Sequence, residues 1–302
     1  QSPALFTHVS IPRFLYQADP EMRLITHDEV RKMVQHNWLR SSRMTSIFDL
    51  APRHYKAILG FYLHYPSVIG DRINYCARYH AESESRRYRN QFNHLMLSQT
   101  EYLRYFGVPQ PARSQAPGLN VDFFTTQRNA RTKIVSSLRM LPSRTFGLFH
   151  VPIPHVPYQF SADGQIRDHA LLGPESYGDL IGYLGNLGYM DLIIGDIMNT
   201  LRGRGDFDSS LIIFTSDHTW CDDPARPTPK MTDFEQVWAD DQLEWSYTRH
   251  VPLVIKHPHQ KTPRKFRETV YTRDLYRLLR MYLSRPEKTL ELEWWKNASI
   301  DD

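Results

Sequence analysis

Residues 211–220 read LIIFTSDHTW, an apolar, β-branched run that delivers Asp217 and His218 at its end. A buried strand has no structural use for an adjacent acid and imidazole. Side by side at a strand end, one carboxylate and one imidazole can both reach a single divalent cation. Oxygen plus nitrogen donors suit Zn or Mn better than Ca, without deciding among them. The alternative is a helix cap at Asp217 and a solvated His218. A second imidazole, His155, ends the compact run TFGLFHVPIPH, and a third, His250, precedes the run VPLVIK. Lys256 and His257 close that last run. Histidine titrates near neutrality and can donate to an anionic oxygen or protonate a departing alkoxide.

The elements that must position these groups alternate in type. A short helix and then a strand near Lys56–Phe61 are expected from IFDLAPRHYKAILGF. A helix is expected over Val121–Leu141, a strand at TFGLF, and a helix in which Leu184, Leu187, Ile194, Ile197 and Leu201 keep helical spacing. Strands at LIIF and VPLVIK and a helix at TRDLYRLLRMYL complete the series. Near the start, THDEVRKMVQHNWL reads as a helix capped by Thr26, and the first 25 residues as irregular. Continuous apolar strands between helices predict an α/β domain whose mostly parallel sheet is covered on both faces. Ligands in such sheets sit beyond the carboxyl ends of the strands, where Asp217, His218 and His155 fall, and Lys256 with them.

Bulk properties bound the answer. The 302 residues suffice for a full core, and 41% apolar with 23% charged residues is ordinary for a globular chain. A net charge of +4 is small for this length and argues against a nucleic-acid partner. Cys76 and Cys221 are too few for a disulfide scaffold, though one bridge is open to them. No apolar run is long enough to span a bilayer, so any membrane contact would come through a segment upstream of Gln1.

The order FHVPIPHVPY, YLGNLGYMDLIIGDIMNTL, DSSLIIFTSDHTW and RHVPLVIKHP resembles the sulfatase-like hydrolase/transferase family of the alkaline phosphatase superfamily. IFDLAPRHYKAILGFYLHYP is similar to that family's helix followed by a Gly-containing strand, and the resemblance runs over residues 1–284. It implies a three-layer α/β/α sandwich, alkaline phosphatase-like, forming one catalytic domain over 1–302. It implies one divalent metal ion (Zn, Mn, Mg or Ca) with Asp217 and His218 as ligands. His155 would face the anionic ester as a catalytic and substrate-binding group, His250 would contact the ester or leaving group, and Lys256 would neutralise the anion. The implied reaction is hydrolysis or transfer of a sulfate or phosphate ester, on a glycan or a lipid. Phosphoethanolamine- or phosphoglycerol-type headgroup transfer and a non-catalytic relative that binds anionic glycans or lipids stand beside it. The location implied is extracytoplasmic, periplasmic or membrane-anchored.

The chain departs from the family pattern in two places. Thr219 stands where Gly usually follows Asp-His. The family's strand ending in acids, with its Cys, Ser or Thr nucleophile, has no counterpart, and QSPALFTHVSIP is similar to the stretch just after that nucleophile. The expectation is therefore an N-terminally incomplete domain with the nucleophile upstream of Gln1, Ser2 being the nearest hydroxyl and Thr7 the next. Residues 219–249 are long, irregular and rich in acids and Trp, and are expected to form an insert or lid next to the metal pair.

Overall fold

The computed structural model describes residues 10–11, 14–16, 22–26, 29–34, 37–40, 44–61, 65–79, 117–167, 179–218, 251–263, 265 and 270–284. Side chains are described outside 22–40, 67–68, 117–124 and 273. Strand β4 (Tyr55–Gly60) is the centre of a parallel sheet, flanked by β5 (Tyr75–Arg78) and β6 (Thr145–Phe149). Its neighbouring residues separate the molecule into layers, because successive side chains on a strand point to opposite faces. Ile58 joins Ile11, Leu15, Tyr16, Ile47, Phe48 and the short helix α1 (Tyr65–Ile69), with Phe146 and Leu148 of β6 packed on the same side. Leu59 faces the other way, onto Ala130, Ile134 and Leu138 of helix α2 (Pro117–Met140) and Tyr189 and Ile193 of helix α3 (Leu180–Gly203). The result is a three-layer α/β/α arrangement around a parallel sheet.

Helix α3 begins at Asp179, whose carboxylate accepts from the Gly182 N–H at 2.8 Å and so satisfies one of the helix's open donors. It packs through Gly182, Asn186, Tyr189 and Ile193, while Leu184 and Leu187 lie outward at 55% and 38% exposure. The apolar stripe read from the sequence therefore holds from Ile197 to Leu201 and fails at its N-terminal half. There the close approach of the 160–162 backbone selects glycine instead. A Cβ on Gly185 would lie 2.3 Å from the Phe160 carbonyl oxygen, and one on Gly188 2.5 Å from the Ala162 Cβ. At the other end Arg204 donates to the Leu138 carbonyl and pairs with Asp206 at 2.7 Å, tying the exit of α3 to the exit of α2.

Strand β7 (Ile212–Thr215) pairs with β8 (Leu253–Lys256), and the pair is antiparallel, with Thr215 opposite Leu253 and Ile212 opposite Lys256. Helix α4 (Leu275–Ser284) covers it, placing Leu275 and Leu278 against Ile213, Leu253 and Ile255. Phe14 packs in both this cluster and the one beneath β4, so the two sheets share a core boundary.

The segment expected to be a helix from Thr26 is instead strand. Strands β1 (Met22–Thr26), β2 (Glu29–Val34) and β3 (Asn37–Arg40) form an antiparallel meander joined by two-residue connections. Such connections suit β-hairpins, and backbone pairing across two of them outweighs a weak local helix preference. Among the described residues no helix is long and apolar enough to cross a membrane. Cys76 is a free thiol on β5, and Cys221 lies outside the described residues.

Candidate active site

Asp217 and His218 follow β7 directly, and the chain there is shaped by local hydrogen bonds. The Ser216 hydroxyl donates to the His218 carbonyl at 2.6 Å, and the Ser10 hydroxyl donates to the Asp217 carbonyl from the far end of the sequence. The Asp217 Oδ2 and His218 Nε2 are 3.6 Å apart, with the two side chains 19% and 22% exposed. Both donors remain reachable. Two ligands each about 2.1 Å from one cation stand roughly 3–3.5 Å apart, so the pair fits as two members of a coordination shell. Among the described residues no group of three or more His, Cys, Asp or Glu that could hold a metal is assembled.

His150 leaves β6 one residue after Phe149 and is buried. Its Nδ1 lies 2.6 Å from the Tyr65 hydroxyl, at the start of α1, and its ring centroid is 4.5 Å from that of Phe61. Gly60 makes this possible: a Cβ there would sit 2.4 Å from the Tyr65 ring. Burial drives the His150 pKa from 6.5 down to about 4, with the Asp217 charge opposing the shift and His218 and His155 adding to it. The ring is therefore neutral at pH 7. Burial also pushes the Tyr65 hydroxyl well above its ordinary value, and the Asp217 charge reinforces this. Tyr65 stays protonated.

His155 lies in the irregular stretch after β6. It keeps exposed surface, yet the crowd of protein around it desolvates the ring and lowers its pKa. The bond to Val156 and the Asp217 charge act against that shift, and His218 acts with it. Its Nδ1 is 2.7 Å from the Val156 carbonyl oxygen. A carbonyl only accepts, so Nδ1 carries the proton and, in the neutral ring, Nε2 carries the lone pair. Asp217 thus acts electrostatically on Tyr65, His150 and His155 together. The carboxyl ends of β4, β6 and β7 meet in one place.

Lys256 is not brought to this place. Strand β8 runs antiparallel to β7, so its carboxyl end lies beside the amino end of β7, opposite Asp217. There the Lys256 ammonium donates to the carbonyls of Phe207, Asp208 (2.9 Å) and Ser210 (3.0 Å) and sits 4.6 Å over the Phe207 ring. It buttresses the turn between α3 and β7 and is not placed to neutralise an anion beside Asp217. His257 follows it to the same far end. His250, Ser2, Thr7 and residues 219–249 lie outside the described residues.

The sequence reading passed over His150 and Tyr65. His150 carried the signal that singled out Asp217, a polar residue ending an apolar run, only five positions before the His155 that drew attention instead. Tyr65 carried none, because its role comes from packing against a strand end 85 residues away in sequence.

No curated protein sequence matches the chain. Among solved structures, a crystal structure of Ps i-CgsB in complex with k-i-k-neocarrahexaose is similar at a TM-score of 0.49 and 14% sequence identity, over 94% of this chain and 62% of that one. This chain thus spans less than two thirds of the length of that relative. The sulfatase family model matches residues 73–277, more than half of the chain. The chain belongs to the sulfatase family.

Proposed function

We propose that the protein hydrolyses a sulfate ester, with Asp217 and His218 as two ligands of a divalent metal ion and with His155 and His250 acting on the ester. The observation that carries this reading is the 3.6 Å pair of Asp217 Oδ2 and His218 Nε2 at a strand end, within electrostatic reach of His155 and His150. When bound, the metal polarises the peripheral oxygens of the ester and stabilises the charge that develops on them.

The chain's own groups supply the rest. His155 holds its Nδ1 proton against the Val156 carbonyl, which fixes the tautomer and leaves Nε2 as the site that gains or loses a proton. Protonated there, it donates to a sulfuryl oxygen or to the departing alkoxide. His250 is assigned the leaving-group side by family resemblance. Neutral His150, hydrogen bonded to Tyr65, is a fixed dipole beside Asp217 and adds no positive charge to the site. Glycan and lipid sulfates are both within this reading.

The test is metal binding by calorimetry to the chain itself, with Zn, Mn, Mg and Ca in turn, together with turnover of p-nitrophenyl sulfate and p-nitrophenyl phosphate by the full-length protein. Asp217→Ala and His218→Ala are each expected to weaken binding of the preferred metal tenfold or more, and sulfate is expected to turn over faster than phosphate. Metal affinity indifferent to both substitutions would remove the site. Faster turnover of the phosphate would replace the sulfatase reading with phosphoryl transfer.

A further inference from the structure

His155 stands in a segment that cannot hold its own shape. Residues 150–157 contain Pro152, Pro154 and Pro157, which have no N–H, and the stretch forms no regular structure. Its carbonyls need partners from elsewhere. Two wholly buried amides, on different helices, provide them. From α2, the Gln127 Nε2 donates to the Pro152 carbonyl at 3.0 Å and to the His155 carbonyl at 2.6 Å, while its Oε1 accepts from the Gln159 Nε2 at 2.6 Å. From α3, the Asn186 Nδ2 donates over longer distances to the carbonyls of His155 (3.3 Å) and Pro157 (3.4 Å), while its Oδ1 accepts from the Phe160 N–H at 3.0 Å. The His155 carbonyl is gripped from both sides.

The position of these amides on their helices adds to the argument. The inward row of α2 continues through Ala130, Ile134 and Leu138, and that of α3 through Tyr189 and Ile193, all in one core. A buried amide in such a row costs free energy unless its hydrogen bonds are met, so an apolar residue is the ordinary occupant. Each helix departs from that rule at the point where it passes the His155 segment. The two helices are themselves held together by the Arg131–Asp196 ion pair at 2.6 Å.

We propose that Gln127 and Asn186 are positioning residues that hold the His155 ring in its place relative to Asp217 and His218. Their grip on the backbone stands on geometry alone; only its consequence for turnover rests on the sulfatase reading.

The experiment replaces each amide by an apolar side chain of similar shape, Gln127→Met and Asn186→Leu, in the full chain. Side-chain NMR of labelled histidine reads the His155 ring, assigned by its disappearance in His155→Gln. In the parent protein His155 should show a single Nδ1-protonated tautomer. In either variant its signals should broaden or move toward tautomer averaging, while those of His54 and His257 stay in place and thermal unfolding stays cooperative. Unchanged His155 signals in both variants would overturn the proposal. Where Asn186→Leu does not fold, Asn186→Asp serves, since it keeps the size and the acceptor but loses both donations to the His155 segment.

With a sulfate ester and the full-length protein, kcat should fall on the order of 100-fold with KM little changed, as misplacement of a reacting group by about 1 Å would produce. That fall should vanish in a His155→Gln background. Equal losses with and without His155 would mark a purely structural role and also overturn the proposal. Failure of the parent protein to turn over any sulfate ester would instead strike the functional reading and leave the NMR result standing.

Discussion

Acidification should destabilise this protein in part through one buried ring, His150. His150 has its pKa lowered from 6.5 to about 4, with desolvation as the largest cause. Between those values the unfolded chain binds a proton at this residue and the native protein does not. The contribution is therefore fully present above pH 6.5 and is lost as pH falls toward 4. At about 1.4 kcal/mol per pH unit the interval is worth about 3 kcal/mol, of which about 2 kcal/mol is gone by pH 5. The perturbation that isolates it is His150→Gln, which removes the titrating ring. Urea unfolding followed by far-UV circular dichroism at pH steps from 7.5 to 5 gives the stability of both proteins. At pH 7.5 the parent should be the more stable, and the gap should close by about 2 kcal/mol on descending to pH 5. All other groups are common to both proteins and cancel to first order in the difference. A gap that stays constant over this range would refute the assignment of a neutral, desolvated imidazole at the heart of the site.

Other outcomes follow from the same packing. Tyr65→Phe removes the hydroxyl 2.6 Å from the His150 Nδ1 and leaves a buried ring nitrogen without that partner, so denaturant unfolding should show a loss of about 1–3 kcal/mol. Lys256→Met strips the ammonium from three backbone carbonyls and should cost about 1–3 kcal/mol, while metal affinity at Asp217 and His218 stays unchanged, because Lys256 lies at the opposite end of β7. Gly185→Ala would push a methyl group to 2.3 Å from the Phe160 carbonyl oxygen and should lower stability by about 1–3 kcal/mol in thermal unfolding. Gly195→Ala, on the same helix with nothing within 4 Å of its added carbon, should raise it by roughly 0.5–1 kcal/mol.

Much of the layer architecture was legible because it is written in local periodicity. The strand at Tyr55–Gly60, the helices around 121–140 and 180–203 and the short apolar strands at 145–149, 212–215 and 253–256 all announce themselves by run length and spacing. The meander at 22–40 did not, since EVRKMV carries no strong preference and its strand state comes from backbone partners in neighbouring strands. Leu184 and Leu187 misled for a related reason: an apolar stripe says which face prefers burial, whereas the 160–162 segment decided which face was covered.

The candidate site divides along the same line. Sequence alone showed that Asp217 and His218 end an apolar strand and that His155 comes after another, because donor types at strand ends are a property of the chain in one dimension. Strand direction was left to the tertiary structure. The antiparallel pairing of β8 sends Lys256 to the far end of β7, where three carbonyls take up its charge. Convergence was left to it as well. Ser10 meets Asp217, Tyr65 meets His150, and Gln127 and Asn186 meet at the His155 carbonyl only when distant segments pack together. Those contacts also set the chemistry, since the same imidazole that titrates near 6.5 in water is held neutral at His150 by the protein closed around it.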